Sequence, residues 1–272
     1  MSIVTPFFKI PFLRRPLYNA LYSYIACRQR SRFKNLTNQI KALKDIHHGE
    51  ACFIIGTGPS LTIDDLKTIS SHGWVTFAPN RIYELCEQYD WKPTYYICQD
   101  HNIIKTFAER IARINADMMF LPIEYHDRFK DDNYKFFVIK EHDFYPHKAQ
   151  FSKDLSKYIA QGYTVTYGAI QLAVYMGFKT IYLLGIDHNY NIRRDAKGRP
   201  CRDDISKSNY TKGMSNYINT NNLPRIEEST IAYETAEKVT AKMGVKIFNA
   251  TRGGKLEAFD RINFDDIFKS QS

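Results

Sequence analysis

Five uncharged residues, Ala51-Cys52-Phe53-Ile54-Ile55, run directly into Gly56-Thr57-Gly58-Pro59-Ser60, and no other stretch constrains the fold of this chain as much. A continuous apolar run between Glu50 and a glycine suits a strand covered on both faces of a parallel sheet. A glycine turn after such a strand leaves backbone N–H groups to meet an anion, so the pair reads as a nucleotide-binding element. It matches neither of the two best-known phosphate loops. A Walker loop carries Lys and then Ser or Thr after its last glycine, and the dinucleotide fingerprint needs a third glycine where Leu61 stands.

The rest of the chain alternates short apolar runs with amphipathic stretches, the pattern of an α/β fold with an open, mostly parallel Rossmann-like sheet and helices on both faces. Strands are expected at Cys52–Ile55, Trp74–Ala78, Thr94–Cys98, Met118–Leu121, Phe136–Ile139, Thr180–Leu184 and Lys246–Asn249. Helices are expected at Ile63–Ser70, Ile82–Tyr89, Ile103–Ile114, Gly168–Met176 and Ser229–Met243, with a polar basic helix near Leu36–Lys44. Thr62 and Asp65 form a capping box, so the first of these helices starts after the glycine turn and leaves the Ser60 hydroxyl in the loop, available to a ligand. Residues 189–226 carry many polar residues and almost no periodic apolar positions, which points to a lid or acceptor-binding loop, or to plain disorder.

In an open parallel sheet, ligands bind beyond the carboxyl ends of the strands. The residues there form a consistent set: the Gly56–Ser60 loop, Asn80-Arg81, Gln99-Asp100-His101, Gly185-Ile186-Asp187-His188-Asn189-Tyr190 and Asn249-Ala250-Thr251-Arg252. Asn80 either caps the following helix or hydrogen-bonds a base or ribose. Asp100 is either the N-cap of the helix at Ile103 or a ligand to a ribose hydroxyl or a metal. Asp187 directly follows an apolar run, where a carboxylate is costly without partners, and this favours function. His188 alone would read as an ordinary surface histidine, and its place in an acidic strand-end cluster makes it a candidate base.

The formal net charge of +9 resembles a nucleic-acid signal until its location is considered. Nine of the 38 Lys and Arg residues fall within residues 1–44, which contain no acid, so bases and acids balance over the remainder. Phe7, Phe8, Ile10, Phe12 and Leu13 are interleaved with those bases, and Leu17, Leu21, Tyr24 and Ile25 share one helical face. Apolar on one side and basic around it describes an interfacial anchor or a helix packed on the body. Prolines and charges break every apolar run well short of a bilayer span, and no signal-peptide pattern is present. The expectation is therefore peripheral attachment to an anionic inner leaflet, with no nucleic-acid partner. Five cysteines without C-x-x-C spacing fit a reducing cytoplasm and no zinc site.

Taken together, the Gly56-Thr57-Gly58-Pro59-Ser60-Leu61 loop, Asn80, Asp100, Thr166-Tyr167-Gly168, Met176-Gly177-Phe178, Gly185-Ile186-Asp187 and Asn249-Ala250-Thr251 resemble the MptE-like Rossmann family. That family is named for 6-hydroxymethylpterin diphosphokinase and has many members in bacterial surface-polysaccharide clusters. A G-x-G-P-S-L loop and a G-I-D strand end also occur in bacterial lipooligosaccharide sialyltransferases that use CMP-sialic acid. The resemblance covers about residues 51–268. It implies that Gly56, Thr57, Gly58, Pro59, Ser60 and Asn80 hold a nucleotide, with Thr166, Tyr167 and Gly168 near its sugar or base; Asp100 and Gly185, at neighbouring strand ends, are expected to join them. It also implies that Tyr190 reaches a donor phosphate. Those sialyltransferases take their general base from a histidine well beyond the G-I-D element, whereas no histidine follows His188 here. His188, Asp187, or a carboxylate such as Asp203 or Asp204, would have to take that role.

The leading expectation is a glycosyltransferase that moves a sugar, sialic or a related acid, from a CMP-linked donor to a cell-surface glycan or lipid-linked acceptor. Its catalytic residues would be His188, Asp187 and Tyr190, with Arg193 or Arg194 closing over the phosphates and no cofactor needed. The alternative is a diphosphokinase passing diphosphate from ATP to a small alcohol, with Mg2+ held by Asp100 and Asp187. A second alternative is a non-catalytic module that binds nucleotide or glycan. Two units are expected: a basic amphipathic arm over residues 1–46 and a nucleotide-binding catalytic domain over residues 47–272.

Overall fold

The computed structural model describes residues 11–190, 192–194, 200–202, 210–212, 214 and 223–269. Its centre is an eight-stranded sheet in the order β12-β11-β8-β1-β2-β3-β4-β5, with every neighbouring pair parallel. The strands are β1 (Ala51–Ile55), β2 (Val75–Pro79), β3 (Tyr95–Ile97), β4 (Met118–Pro122), β5 (Tyr134–Phe137), β8 (Thr180–Leu184), β11 (Lys246–Asn249) and β12 (Asp260–Arg261). The α/β Rossmann-like architecture expected from the sequence is thus present, with the predicted strands displaced by at most two residues at an end.

The reason β1 carries no polar alternation is visible in its two faces. Phe53 and Ile55 enter one apolar cluster, while Cys52 and Ile54 enter another on the opposite side of the sheet, all four fully buried. On the first face, α3 (Ile63–Ser71), α4 (Tyr83–Tyr89) and α5 (His101–Ile111) contribute Leu66, Leu85 and Ile104. On the second, α6 (Val165–Tyr175) and α7 (Ile226–Ala241) contribute Leu172, Ala173, Ala232 and Ala236. Helix α6 has ten of its eleven residues buried, which explains its apolar character all round. The expected capping box closes α3: Asp65 N–H donates to Thr62 Oγ1, and the Asp65 carboxylate accepts from the Thr62 N–H.

The basic arm forms two helices, α1 (Pro11–Arg32) and α2 (Lys34–Lys41). Helix α1 runs through Pro16, at the cost of one helical hydrogen bond near its start. Helix α2 is built into the body, because Ile40 is fully buried and joins the second cluster. The inner side of α1 is tied to residues 141–145: Tyr18 donates to the Glu141 carboxylate at 2.7 Å, Asn19 exchanges hydrogen bonds with the Asp143 backbone, and Arg15 donates to the Tyr145 carbonyl. No helix among the described residues is long and apolar enough to cross a membrane.

Short elements escaped the sequence pattern. β6 (Ile139–Lys140) pairs with β7 (Ile159–Ala160), β12 has two exposed residues, and α8 (Phe264–Lys269) packs Phe264 and Ile267 on the first cluster. Within the expected lid, β9 (Ile192–Arg194) and β10 (Pro200–Arg202) form an antiparallel pair, so that segment is not wholly without regular structure. Asp203 and Asp204 lie outside the described residues, as does residues 1–10 of the arm.

Candidate functional site

From β1 the chain steps outward through β2 to β5, then returns to place β8 on the other side of β1. Their carboxyl ends therefore diverge, and this is where an open α/β sheet forms its ligand crevice. A cleft of about 470 Å³ lies there, in the size range of small-molecule sites. Of the residues singled out in the sequence, Gly56, Thr57, Gly58, Pro59, Asn80, Asp100, Thr166, Gly185, Asp187, His188 and Tyr190 line it, whereas Ser60, Tyr167 and Gly168 do not.

The glycine loop is used differently from the expectation. Gly56 N–H donates to the Leu184 carbonyl at 2.7 Å and Gly58 N–H to the Gly185 carbonyl at 2.9 Å. A Cβ on Gly56 would fall 2.2 Å from the Gly185 carbonyl oxygen, and one on Gly58 would fall 1.9 Å from Asp187 Oδ2. The glycines thus let the ends of β1 and β8 touch, and two of the amides expected to meet a ligand are spent inside the protein. Ser60 is spent as well: its hydroxyl donates to Asp187 Oδ2 at 2.7 Å, and its N–H approaches the same oxygen at 3.4 Å. The anion cradled by the turn is the protein's own Asp187 carboxylate. That carboxylate is held on its far side through the backbone, where Lys255 N–H donates to the Asp187 carbonyl at 2.7 Å.

The opposite wall has polar groups without protein partners. Asn80, directly after β2, has φ +49° and a buried Oδ1 with no hydrogen bond among the described residues. It does not cap a helix, since the 3₁₀ turn Asn80–Ile82 and α4 have no side-chain cap. Gln99, directly after β3, has a buried Nε2 that is likewise unpartnered. Gln99 belongs to the set of strand-end residues, but nothing in its spacing distinguishes it from its neighbours. Gly168 makes room for it, because a Cβ there would lie 2.3 Å from Gln99 Nε2. A buried acceptor and a buried donor left unmet cost about 1–3 kcal/mol each, so this wall is complementary to a ligand offering both. Asp100 takes the simpler of its two readings: its Oδ1 accepts from the Asn102 and Ile103 amides and caps α5.

At the start of α6, Thr164 and Thr166 border the cleft, and Tyr167 turns into the core, fully buried, with its hydroxyl on the Gln150 carbonyl at 2.7 Å. Tyr167 is therefore a packing residue and does not reach a nucleotide from this position. Tyr163 and Arg225, which no sequence signal marks, add a cationic rim. The Arg225 guanidinium lies 4.0 Å from the Tyr163 ring centroid and is paired with Glu228. Arg81 is buried, paired with Glu84, and stacked on Tyr210.

His188 follows Asp187 with φ +49°. Its Nε2 lies 2.7 Å from Thr230 Oγ1, and that hydroxyl donates its one proton to the Ile226 carbonyl at 2.9 Å. Thr230 can then only accept, so Nε2 carries the ring proton and Nδ1 keeps a lone pair. Burial lowers the His188 pKa below its ordinary value, which favours the neutral ring. Tyr190 stands edge-on to it, and burial together with Tyr233, Tyr210 and Asp187 raises its pKa, so its phenol stays protonated. The cleft therefore joins a neutral imidazole able to accept a proton to a phenol able to donate a hydrogen bond. The side chains of Arg193 and Arg194 lie outside the described residues, although their backbone forms β9.

No curated protein matches the chain. A glycosyltransferase from Magnetospirillum magneticum AMB-1 has a similar solved structure, with 14% identity and a TM-score of 0.51. The match covers 82% of this chain and 35% of that one, so this chain spans about a third of that protein. The sialyltransferase CstII from Campylobacter jejuni, solved with cytidine-5'-monophosphate, is 14% identical with a TM-score of 0.41, over 79% of this chain and 85% of that one. At this identity, the first of these likenesses speaks to the fold alone. The model of the family described as 6-hydroxymethylpterin diphosphokinase MptE-like matches residues 27–193, more than half of the sequence, and the chain belongs to that family.

Proposed function

We propose that the chain is a transferase that moves a sugar from a nucleotide donor, CMP-linked, to a hydroxyl of a cell-surface glycan or lipid-linked acceptor. The observation that carries the reading is His188: its tautomer is set by Thr230, its neutral form is favoured by burial, and it lines the cleft beside Tyr190. The Magnetospirillum protein that shares the fold is a glycosyltransferase. A fold alone hosts many chemistries, so the weight rests on the site.

In the proposed reaction, the acceptor oxygen forms a bond to the anomeric carbon while its proton passes to His188 Nδ1. The bond from that carbon to the donor phosphate oxygen breaks, and its electron pair leaves with CMP. The Tyr190 phenol donates a hydrogen bond to the departing phosphate oxygen, and Arg225 at the rim balances the charge that builds there. Asn80 Oδ1 and Gln99 Nε2 offer an acceptor and a donor to the base or ribose. Asp187 is a positioning residue here, since its carboxylate is engaged by Ser60 and orders the β1–β8 junction.

Family membership supports a second reading, diphosphate transfer from ATP to a small alcohol such as a pterin. Magnesium would then rest on Asp100 and Asp187. Asp100 spends Oδ1 on the α5 cap and Asp187 spends Oδ2 on Ser60, so each can offer one remaining oxygen beside the nucleotide phosphates. Magnesium held together with phosphates commonly uses one or two carboxylates, and the pair meets that minimum. Among the described residues, no group of three His, Cys, Asp or Glu side chains forms a fuller site.

We also propose peripheral attachment to the inner face of the cytoplasmic membrane through the arm. On α1, Leu21 and Tyr24 are 39% and 63% exposed, and Arg14, Arg28 and Arg32 are exposed around them. An apolar stripe flanked by arginines suits an anionic interface.

Thermal denaturation with CMP, CDP, UDP, GDP and ATP, each with and without magnesium, separates the readings. A ligand that binds only the folded state raises the midpoint. Stabilisation by CMP without metal is expected. Selective stabilisation by ATP with magnesium would replace the sugar-transfer reading by the kinase one, and stabilisation by none would remove both.

A further inference from the structure

His188 has a second neighbourhood that the proposed donor site does not use. Together with Thr230 it forms one wall of a separate cavity of about 320 Å³, between α7 and the loop that carries residues 255–258. Its apolar lining residues are Leu256, which is buried, and Ala258, which is half-buried. Glu234, Glu237, Lys238 and Lys255 face this cavity, and among the described residues none of these four side chains enters a hydrogen bond or an ion pair. Glu257, which also lines it, is already paired with Arg261 at 2.9 Å. Two unspent carboxylates and two unspent ammonium groups thus surround a small apolar patch.

That chemistry selects a ligand class. A nucleotide or other phosphate would meet three carboxylates against two lysines, and a flat heteroaromatic ring would find no aromatic partner but His188. A pyranose fits the mixed charge and the small apolar lining, since its C–H face can lie against the half-buried Ala258 while its hydroxyls donate to the carboxylates and accept from the lysines. We propose that this cavity binds a neutral saccharide, the penultimate part of the acceptor glycan, and delivers the acceptor hydroxyl to the His188 side of the cleft. The proposal deepens the sugar-transfer reading and rests on it for the word acceptor, although saccharide binding can be measured independently.

The geometry gives this arrangement a physical logic. The Lys255 amide that holds the cavity's loop donates to the Asp187 carbonyl, one residue before His188. Thr230, which fixes the His188 tautomer, belongs to the cavity wall. A glycan seated in the cavity would therefore touch the two elements that hold the base.

The test uses the full chain, titrated by saturation-transfer NMR and calorimetry with lactose, N-acetyllactosamine and cellobiose, each with and without CMP. At least one disaccharide is expected to bind, and the double substitution Glu234→Gln with Glu237→Gln should weaken it about tenfold while leaving the CMP affinity unchanged. Ala258→Trp, which fills the cavity, should abolish disaccharide binding with the same lack of effect on CMP. If no disaccharide binds, or if one binds equally well to all three proteins, the proposal is overturned. If CMP and the other nucleotides fail to bind while the substitutions still abolish disaccharide binding, the cavity stands as a saccharide site and the transfer reading falls.

Discussion

In the proposed reaction, His188 is prepared for its task by groups that never meet the substrate. Thr230 has one proton and gives it to Ile226, so the imidazole is forced to donate from Nε2. Thr230→Val removes that constraint, and turnover is expected to fall by about tenfold with donor affinity unchanged, as read from kcat against donor KM. The lowered His188 pKa has a sign that can be worked out. A folded state that holds the ring neutral binds fewer protons than the unfolded chain, so its contribution is complete above the ordinary histidine value of about 6.5 and is lost as pH falls through the lower folded value. Wild-type protein should therefore lose more thermal stability between pH 7 and pH 5 than His188→Gln, measured by calorimetry in parallel. Asn80 and Gln99 give a prediction of a different sign. Because Oδ1 and Nε2 are unmet in the protein, Asn80→Ala and Gln99→Ala relieve that cost against the packing they lose, and each should change the unfolding free energy by no more than about 1 kcal/mol yet weaken nucleotide binding about tenfold. That Asn80 belongs to the cleft was legible from its place after a strand. That its acceptor lacks a partner was not, because hydrogen-bond satisfaction depends on everything packed around it.

The junction of β1 with β8 is the element on which the site rests. Its glycines read naturally as a phosphate cradle, since glycine, glycine, proline and serine after a buried strand are compatible with that use. The sequence could not reveal that Leu184, Gly185 and Asp187 would occupy those amides, because β8 lies more than a hundred residues away along the chain. Strand positions were legible where apolar runs were long, as at Thr180–Leu184, and illegible where two exposed residues make a strand, as at Asp260–Arg261. Substituting Gly58→Ala drives a methyl group into the Asp187 carboxylate and should cost about 1–3 kcal/mol in urea denaturation. Ser60→Ala and Asp187→Ala remove opposite ends of one hydrogen bond, so their effects on stability should be clearly non-additive in a double-mutant cycle. Additive effects would mean that the two side chains act apart.

At the scale of the molecule, the arm and the body are joined in two ways. Ile40 of α2 is part of the core, and Ile40→Ala should cost about 2–5 kcal/mol, as a buried aliphatic truncation does anywhere in a domain. Helix α1 is fastened by its inner side to the 141–145 segment, and its outer side is left to solvent with Leu21 and Tyr24 exposed. Leu21→Ser together with Tyr24→Ser should reduce sedimentation with phosphatidylserine vesicles while leaving nucleotide binding intact. Raising the salt concentration should reduce it further, because the arginine contribution is screened. Unchanged sedimentation would remove the proposed attachment.

The contact between Tyr18 and Glu141 carries one more consequence. Glu141 also borders the cleft, so one hydrogen bond joins the helix that would lie on a bilayer to the rim of the cleft. A 22-residue helix is about 33 Å long, and a rod of that length lying in the interface and fixed to the rim would set the direction in which the cleft faces relative to the lipid. Such an enzyme would admit an acceptor by the side from which it approaches the membrane as well as by its chemistry.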